Sequence, residues 1–339
     1  MKTTTYTVVT TLAVLLFSCL PPAVQAQVCF SYVTNAGAIT ITRGCGCTGA
    51  LTIPDTIDGL PVTGIADQAF FFCRHLTPCS ITIPDSVTSI GAMAFADCDT
   101  LTNAWFGSGV TNIGNAAFQD CSGLTSVTIP GGVTTIAEGA FRGCRGLTNV
   151  TFGNDLTSIG VEAFAGCNSL TRILFPESLT NLAKGAFENC TSLTGVTIPR
   201  SVTYMAAFSF CGSLTAIHCQ GNAPSFDDPR SFEGTYATVY YLPGTTGWGP
   251  NYGWMATAPW LLPYPVILNF GPGFGVQSNQ FGFLISWATN AAVVVEACTN
   301  PANPAWSAAG TNSLLDGWSY FTDSQWTSFP ARFYRLRSP

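Results

Sequence analysis

Leu124-Thr125-Ser126-Val127-Thr128-Ile129-Pro130-Gly131-Gly132-Val133-Thr134-Thr135-Ile136-Ala137-Glu138-Gly139-Ala140-Phe141-Arg142-Gly143-Cys144 decides the fold. Leu124, Val127 and Ile129 fall at strand-like spacing, with Ser126 and Thr128 on the opposite face of a short strand. Pro130 has no N–H to donate and stops the ladder there. Ala140-Phe141-x-x-Cys144 closes the segment as a turn or short helical piece, with Phe141 as the large filler. The same pattern recurs around Phe70/Cys73, Phe95/Cys98, Phe118/Cys121, Phe164/Cys167, Phe187/Cys190 and Phe208/Cys211. Successive Phe anchors lie 25, 23, 23, 23, 23 and 21 residues apart. A lone 23-residue unit buries too few side chains to offset about 1–2 kcal/mol of backbone entropy per residue. Stacked units share a core and strand hydrogen bonds, so the pattern predicts a solenoid. Gly91, Gly114, Ala137, Gly160, Ala183 and Ala206 supply a small residue in each unit where backbones approach.

The repeated L-T-x-V-x-I-P and A-F-x-x-C segments resemble the BspA-like leucine-rich repeat family of bacterial surface and secreted proteins. The resemblance implies a curved solenoid and a role in adhesion or protein binding. The fold expected is therefore mainly β: a leucine-rich-repeat solenoid of about 23-residue repeats, followed by a small β-sandwich.

The flanks follow from composition. Residues 1–26 read as a cleaved secretory signal, with Lys2, an apolar run to Leu20 and small residues ending at Ala26. Leu16-Phe17-Ser18-Cys19 is a rival lipoprotein signal, against which the bulky Phe17 counts. No apolar run reaches membrane-span length. Residues 27–48 read as an N-terminal capping hairpin turning at Thr34-Asn35-Ala36-Gly37. The repeats occupy 49–220, an irregular coil and linker 221–265, and a β-sandwich module 266–339. The module's expected strands are 282–287, 292–297, 319–322 and 332–337.

Fourteen cysteines are present. The seven repeat cysteines are expected as buried small hydrophobes, because parallel side-chain vectors disfavour bridges between neighbours. Better disulfide candidates interrupt the pattern: Cys29 with Cys45 or Cys47, and Cys73 with Cys79.

Charge narrows the function classes. Only 9% of residues are charged, the net charge is −6 and the twelve basic residues are thinly spread, which argues against a nucleic-acid binder. Neither histidine, His75 nor His218, accompanies a nucleophile motif. Asp97, Asp99, Asp120, Glu138, Glu162 and Glu188 read as solvated turn residues. Asp227-Asp228 lacks calcium-loop spacing, Cys45-x-Cys47 lacks further zinc ligands, and Gly271 to Gly275 reads as a turn. Catalytic residues, cofactor and metal are not expected. What remains is surface. One outward row reads Thr82, Trp105, Thr128, Thr151, Leu174, Thr197, His218. Its neighbour reads Ser80, Asn103, Ser126, Asn149, Arg172, Gly195, Ala216. Hydroxyls and amides are the rule, which explains low charge without insolubility. Asn103, Trp105, Asn149, Arg172, Leu174 and His218 form the candidate partner-binding set, and Trp, Leu and Arg beside one another have hot-spot composition. The expected protein is a secreted or cell-surface-associated, non-enzymatic binder of an extracellular protein or cell-surface ligand. The alternative is glycan binding by Trp306, Trp318 and Trp326 of the C-terminal module.

Overall fold

The computed structural model describes residues 30–44, 49–73, 79–262, 264–269, 274–278, 280–287 and 289–339. The expected signal (1–26), Cys29, Cys45, Cys47 and His75 lie outside these residues. The chain divides into two compact units.

The first unit holds residues up to Val196, with Ser201–Thr215 and Ser225–Tyr236. It opens on an antiparallel hairpin, Phe30–Asn35 against Ala38–Gly44. Ala36 and Gly37 both take positive φ (49° and 81°), the backbone of a two-residue turn that matches strand twist. The second hairpin strand then pairs in parallel with Leu60–Ile65, and Ile39 and Ile41 are fully buried.

From there successive coils add short parallel strands on two faces. One face runs Gly49–Thr52, Cys79–Ile83, Leu101–Phe106, Ser126–Thr128, Asn149–Thr151, all parallel. The other consists of two-residue strands such as Thr135–Ile136, Ser158–Ile159, Asn181–Leu182 and Tyr204–Met205, again parallel. The Phe-x-x-Cys segments are turns rather than helix. In them the residue before Cys is left-handed: Asp97, Asp120, Gly143, Gly166 and Asn189, with φ of 59°, 56°, 72°, 73° and 56°. Gly, Asn and Asp tolerate that conformation best. Phe72 and Phe210 adopt it at the two ends of the row. Coils close tightly: a Cβ on Gly160 would stand 2.7 Å from the Ile136 carbonyl oxygen.

The core is periodic. Phe70, Phe95, Phe118, Phe141, Phe164, Phe187 and Phe208 form one continuous stack, with centroids 4.8–5.6 Å apart and planes within 15°. Beside it runs a thiol ladder. The Sγ–H groups of Cys98, Cys121, Cys144, Cys167, Cys190 and Cys211 donate to the carbonyls of Phe70, Phe95, Phe118, Phe141, Phe164 and Phe187 at 3.1–3.3 Å. The Phe118 carbonyl also accepts the Cys121 N–H at 3.3 Å, so both its lone pairs are engaged. These cysteines are free and buried, as expected, but they act as donors and not only as small hydrophobes. Cys73 is free too, whereas Cys79 is disulfide-bonded; the expected Cys73–Cys79 staple is not formed. Every other described cysteine is free.

The second unit comprises Thr197–Arg200, Ala216–Pro224 and Ala237–Pro339. The sequence suggests an irregular coil and linker after residue 220. The structure instead continues to add parallel strands, Thr238–Tyr241 on Ala216–Cys219 and Met255–Pro259 on Thr238–Tyr241. The small β module follows as two facing sheets. One holds Val266–Leu268, Gly275–Gln277, Gln280–Ser286 and Trp318–Asp323; the other holds Ser307–Leu314, Ala291–Cys298 and Phe333–Arg337. Between them lie Phe283, Ile285, Val293, Val295, Leu314 and Phe321. Ser307–Leu314 was not expected as a strand. Glu296 anchors the last strand by accepting hydrogen bonds from Arg335 and Arg337, which hold its carboxyl below the usual range.

Candidate functional surface

The outward rows are real strand registers. Ser80 pairs with Asn103, Asn103 with Ser126 and Ser126 with Asn149. Thr82 pairs with Trp105, and Thr128 with Thr151. Threonines next to this face lock coil to coil: the hydroxyls of Thr102, Thr125 and Thr148 donate to the carbonyls of Cys79, Thr102 and Thr125.

The order breaks at the next coil. Thr171 makes no such bond, and Leu174 forms only an isolated bridge where neighbouring coils have strands. The parallel ladder ends at Asn149–Thr151. One inward position is held by Ile83, Phe106, Ile129, Phe152, Phe175 and Ile198 in turn, so Phe152 and Phe175 are the place where two successive coils both carry Phe. Their rings stack 6.1 Å apart, wider than any step of the buried Phe stack. Each also meets that stack edge-on, Phe152 on Phe164 and Phe175 on Phe187. Phe106 sits edge-on to Phe118 in the same way, but within a strand that pairs on both sides, so it is the adjacent Phe pair that coincides with the break.

A groove of about 390 Å³ opens at the break, lined by Asn149, Val150, Thr151, Phe152, Asn154, Arg172, Leu174, Phe175 and Pro176. Three expected binding residues, Asn149, Arg172 and Leu174, thus share one site. Leu174 is 72% exposed and, with Phe175 and Pro176, gives the groove its apolar side. Arg172 has neither an ion pair nor a hydrogen bond among the described residues, and the Asn149 and Asn154 amides are likewise unengaged. Elsewhere Asn103, Asn112 and Asn181 bond to Thr102, Ser89 and Ser158. Sequence reasoning missed Asn154, Phe175 and Pro176. The succession of Phe152 and Phe175, at a position where Ile and Phe alternate in the preceding coils, was their visible signal.

The other candidates fall elsewhere. Trp105 is 54% exposed but three coils from Leu174, about 14 Å at strand spacing. Asn103 is half-buried and tied to Thr102. His218 lies in the second unit, stacked on Tyr240 at 5.1 Å and packed against Trp260 at 4.6 Å; burial there lowers its pKa. The three module tryptophans have separate surroundings. Arg335 lies over the Trp306 ring, Trp326 packs near Phe281, and Trp318 is exposed on its strand. The acidic pair has structural work: Asp227 accepts the Tyr204 hydroxyl, and Asp228 accepts the Arg230 N–H as an N-cap. Across the turns runs a second, polar groove of about 620 Å³, whose Arg142 is ion-paired with Glu162. Among the described residues no cluster of His, Cys, Asp or Glu is placed to hold a metal, and no helix is long and apolar enough to cross a membrane.

A parallel-stranded solenoid of 23-residue coils, with a stacked Phe core and polar outward rows, defines a leucine-rich repeat protein. The BspA type leucine rich repeat region matches in six copies over residues 43–154 and 111–238, and the chain belongs to that family. Among solved structures it is similar to a leucine rich repeat protein from T. pallidum (28% identity, 65% of this chain and 85% of that one, TM-score 0.40). A leucine-rich repeat protein from Bacteroides ovatus matches at 24% identity, covering 63% and 69%, with TM-score 0.46. A leucine rich cell surface protein from Faecalibacterium prausnitzii matches at 22%, covering 62% and 86%, with TM-score 0.33. No curated protein matches.

Proposed function

We propose that the chain is an exported, non-enzymatic binding protein whose outward solenoid face engages an extracellular protein. The observation that carries this reading is the groove at the ladder break. There an exposed Leu174, an unpaired Arg172 and two unengaged amides stand together at the end of a strand ladder whose outward positions are mostly hydroxyls and amides. Unused donors and bare apolar surface gain most from a partner that excludes water. Export is supported by the N-terminal apolar run and fits the cell-surface description of the F. prausnitzii protein. A non-enzymatic role fits the solenoid cysteines, which burial keeps protonated and unreactive.

The test is surface plasmon resonance of the full chain against a panel of purified extracellular proteins. Arg172→Ala/Leu174→Ala is expected to lower affinity for any bound protein about 10- to 100-fold, as hot-spot truncation does. Trp105→Ala is expected to have a smaller effect. Unchanged binding by the double variant overturns the groove as the site.

A further inference from the structure

The groove's chemistry specifies its ligand more closely than a protein surface in general. Resting on the protein-binding reading above, we propose that it takes an extended peptide segment carrying a carboxylate and a large apolar side chain two residues apart. Arg172 is the only charged residue lining the groove, and it has no anion of its own among the described residues. In a chain of net charge −6 such a free cation is a local exception, and its complement is a carboxylate. Leu174 lies two positions further along the same face, about 7 Å from Arg172 in extended backbone. An extended ligand repeats the same spacing: residues i and i+2 point the same way and stand the same distance apart. A carboxylate on Arg172 therefore places the second side chain over Leu174 and Phe175. Asn149 and Asn154 offer both donors and acceptors to the ligand's main chain. A flat apolar partner would leave Arg172 and both amides desolvated without partners, at a loss.

The experiment uses the full chain and immobilised synthetic octapeptides in extended-favouring Thr/Ser backgrounds. One set carries Asp or Glu two residues from Leu or Phe; matched sets carry Asn or Gln, carry Lys, or change the separation to one or three residues. Alginate, a polyuronate, is the non-peptide arm. Binding is expected for the acidic i, i+2 set, weakened by salt and lowered about tenfold by Arg172→Gln. The charge-reversed Arg172→Glu is expected to lose the acidic set and gain the Lys set. That gain is a result which misfolding cannot produce. Equal binding of acidic and amide peptides overturns the proposal, as does alginate binding that depends on Arg172 without peptide binding. Failure here alongside Arg172- and Leu174-dependent binding to a purified protein removes the carboxylate chemistry only. Loss of both removes the protein-binding reading as well.

Discussion

At the scale of the residue, the repeat cysteine does two things that alanine or serine cannot combine. It fills apolar volume and it hands a weak donor to the Phe carbonyl one coil back. Burial pushes the thiols up, Cys211 to about 12 and Cys144, Cys167 and Cys190 well above the usual thiol range. Unfolded thiols ionise near pH 8.5. Above that pH the folded state therefore holds more protons than the unfolded one, and stability falls as pH rises. Below about pH 8 the stabilisation is fully present; for Cys211 the loss continues up to about pH 12. Each thiol contributes up to about 1.4 kcal/mol per pH unit. Urea midpoints are expected to be level from pH 6 to 8 and to drop steeply by pH 10. Cys144→Ala should lower the midpoint at every pH but flatten that drop. Midpoints that stay level to pH 10 would contradict a buried, protonated ladder.

The turn row gives a second residue-scale expectation. Gly166 has φ of 73°, and a Cβ added there would meet its nearest neighbour, the Gly143 backbone, at 3.7 Å. That is ordinary contact, so only backbone conformation opposes substitution. Gly166→Ala should cost about 1 kcal/mol, and Gly166→Asn appreciably less, since Asn189 already holds the same place. Thermal denaturation of the two variants checks the order.

At the scale of the element, the decisive event is a strand that does not form. Phe175→Ile, which places there the residue that Ile83, Ile129 and Ile198 supply in other coils, removes the wide stack on Phe152 and the edge contact on Phe187. Amides of residues 171–175 are expected to gain hydrogen-exchange protection as the coil closes into the ladder, with a net stability change within about 1 kcal/mol. Unchanged protection would mean that the rings do not hold the groove open. This element also marks how far the sequence could be read. The coils, the Phe and Cys anchors and the outward rows were legible because a period of 23 repeats one environment many times. The groove was not, because it coincides with two successive Phe at an inward position that earlier coils fill alternately with Ile and Phe, whereas the outward rows show only which side chains face solvent. The strands at Thr238–Tyr241 and Met255–Pro259 were missed because their coils lack the Phe-x-x-Cys anchor. Ser307–Leu314 was missed because Ser-Ala-Ala-Gly-Thr-Asn-Ser carries almost no β-branched or aromatic signal.

At the scale of the whole molecule, the first unit has stability of the nearest-neighbour kind. Stacked rings, thiols, threonines and backbone amides all join one coil to the next. Removing one full period, residues 119–141, brings Phe118 and Phe164 into adjacent coils with every anchor in phase. Such a deletion is expected to fold, with unchanged circular dichroism per residue and a moderately lower unfolding midpoint. Removing about half a period should abolish folding, because inward and outward rows would exchange places. A folded half-period deletion would refute the in-phase ladder as the organising principle.

The same ladder bears on how the protein answers a mechanical load. A tether pulling on the chain draws it out through its coil-to-coil contacts, which repeat and are arranged in series. Extension is then expected in uniform steps rather than one rupture. Each freed coil of 23 residues releases roughly 8 nm of contour. A sawtooth of that spacing in single-molecule force traces would make the first unit an extensible shock absorber, yielding a coil at a time while the rest of the array stays folded.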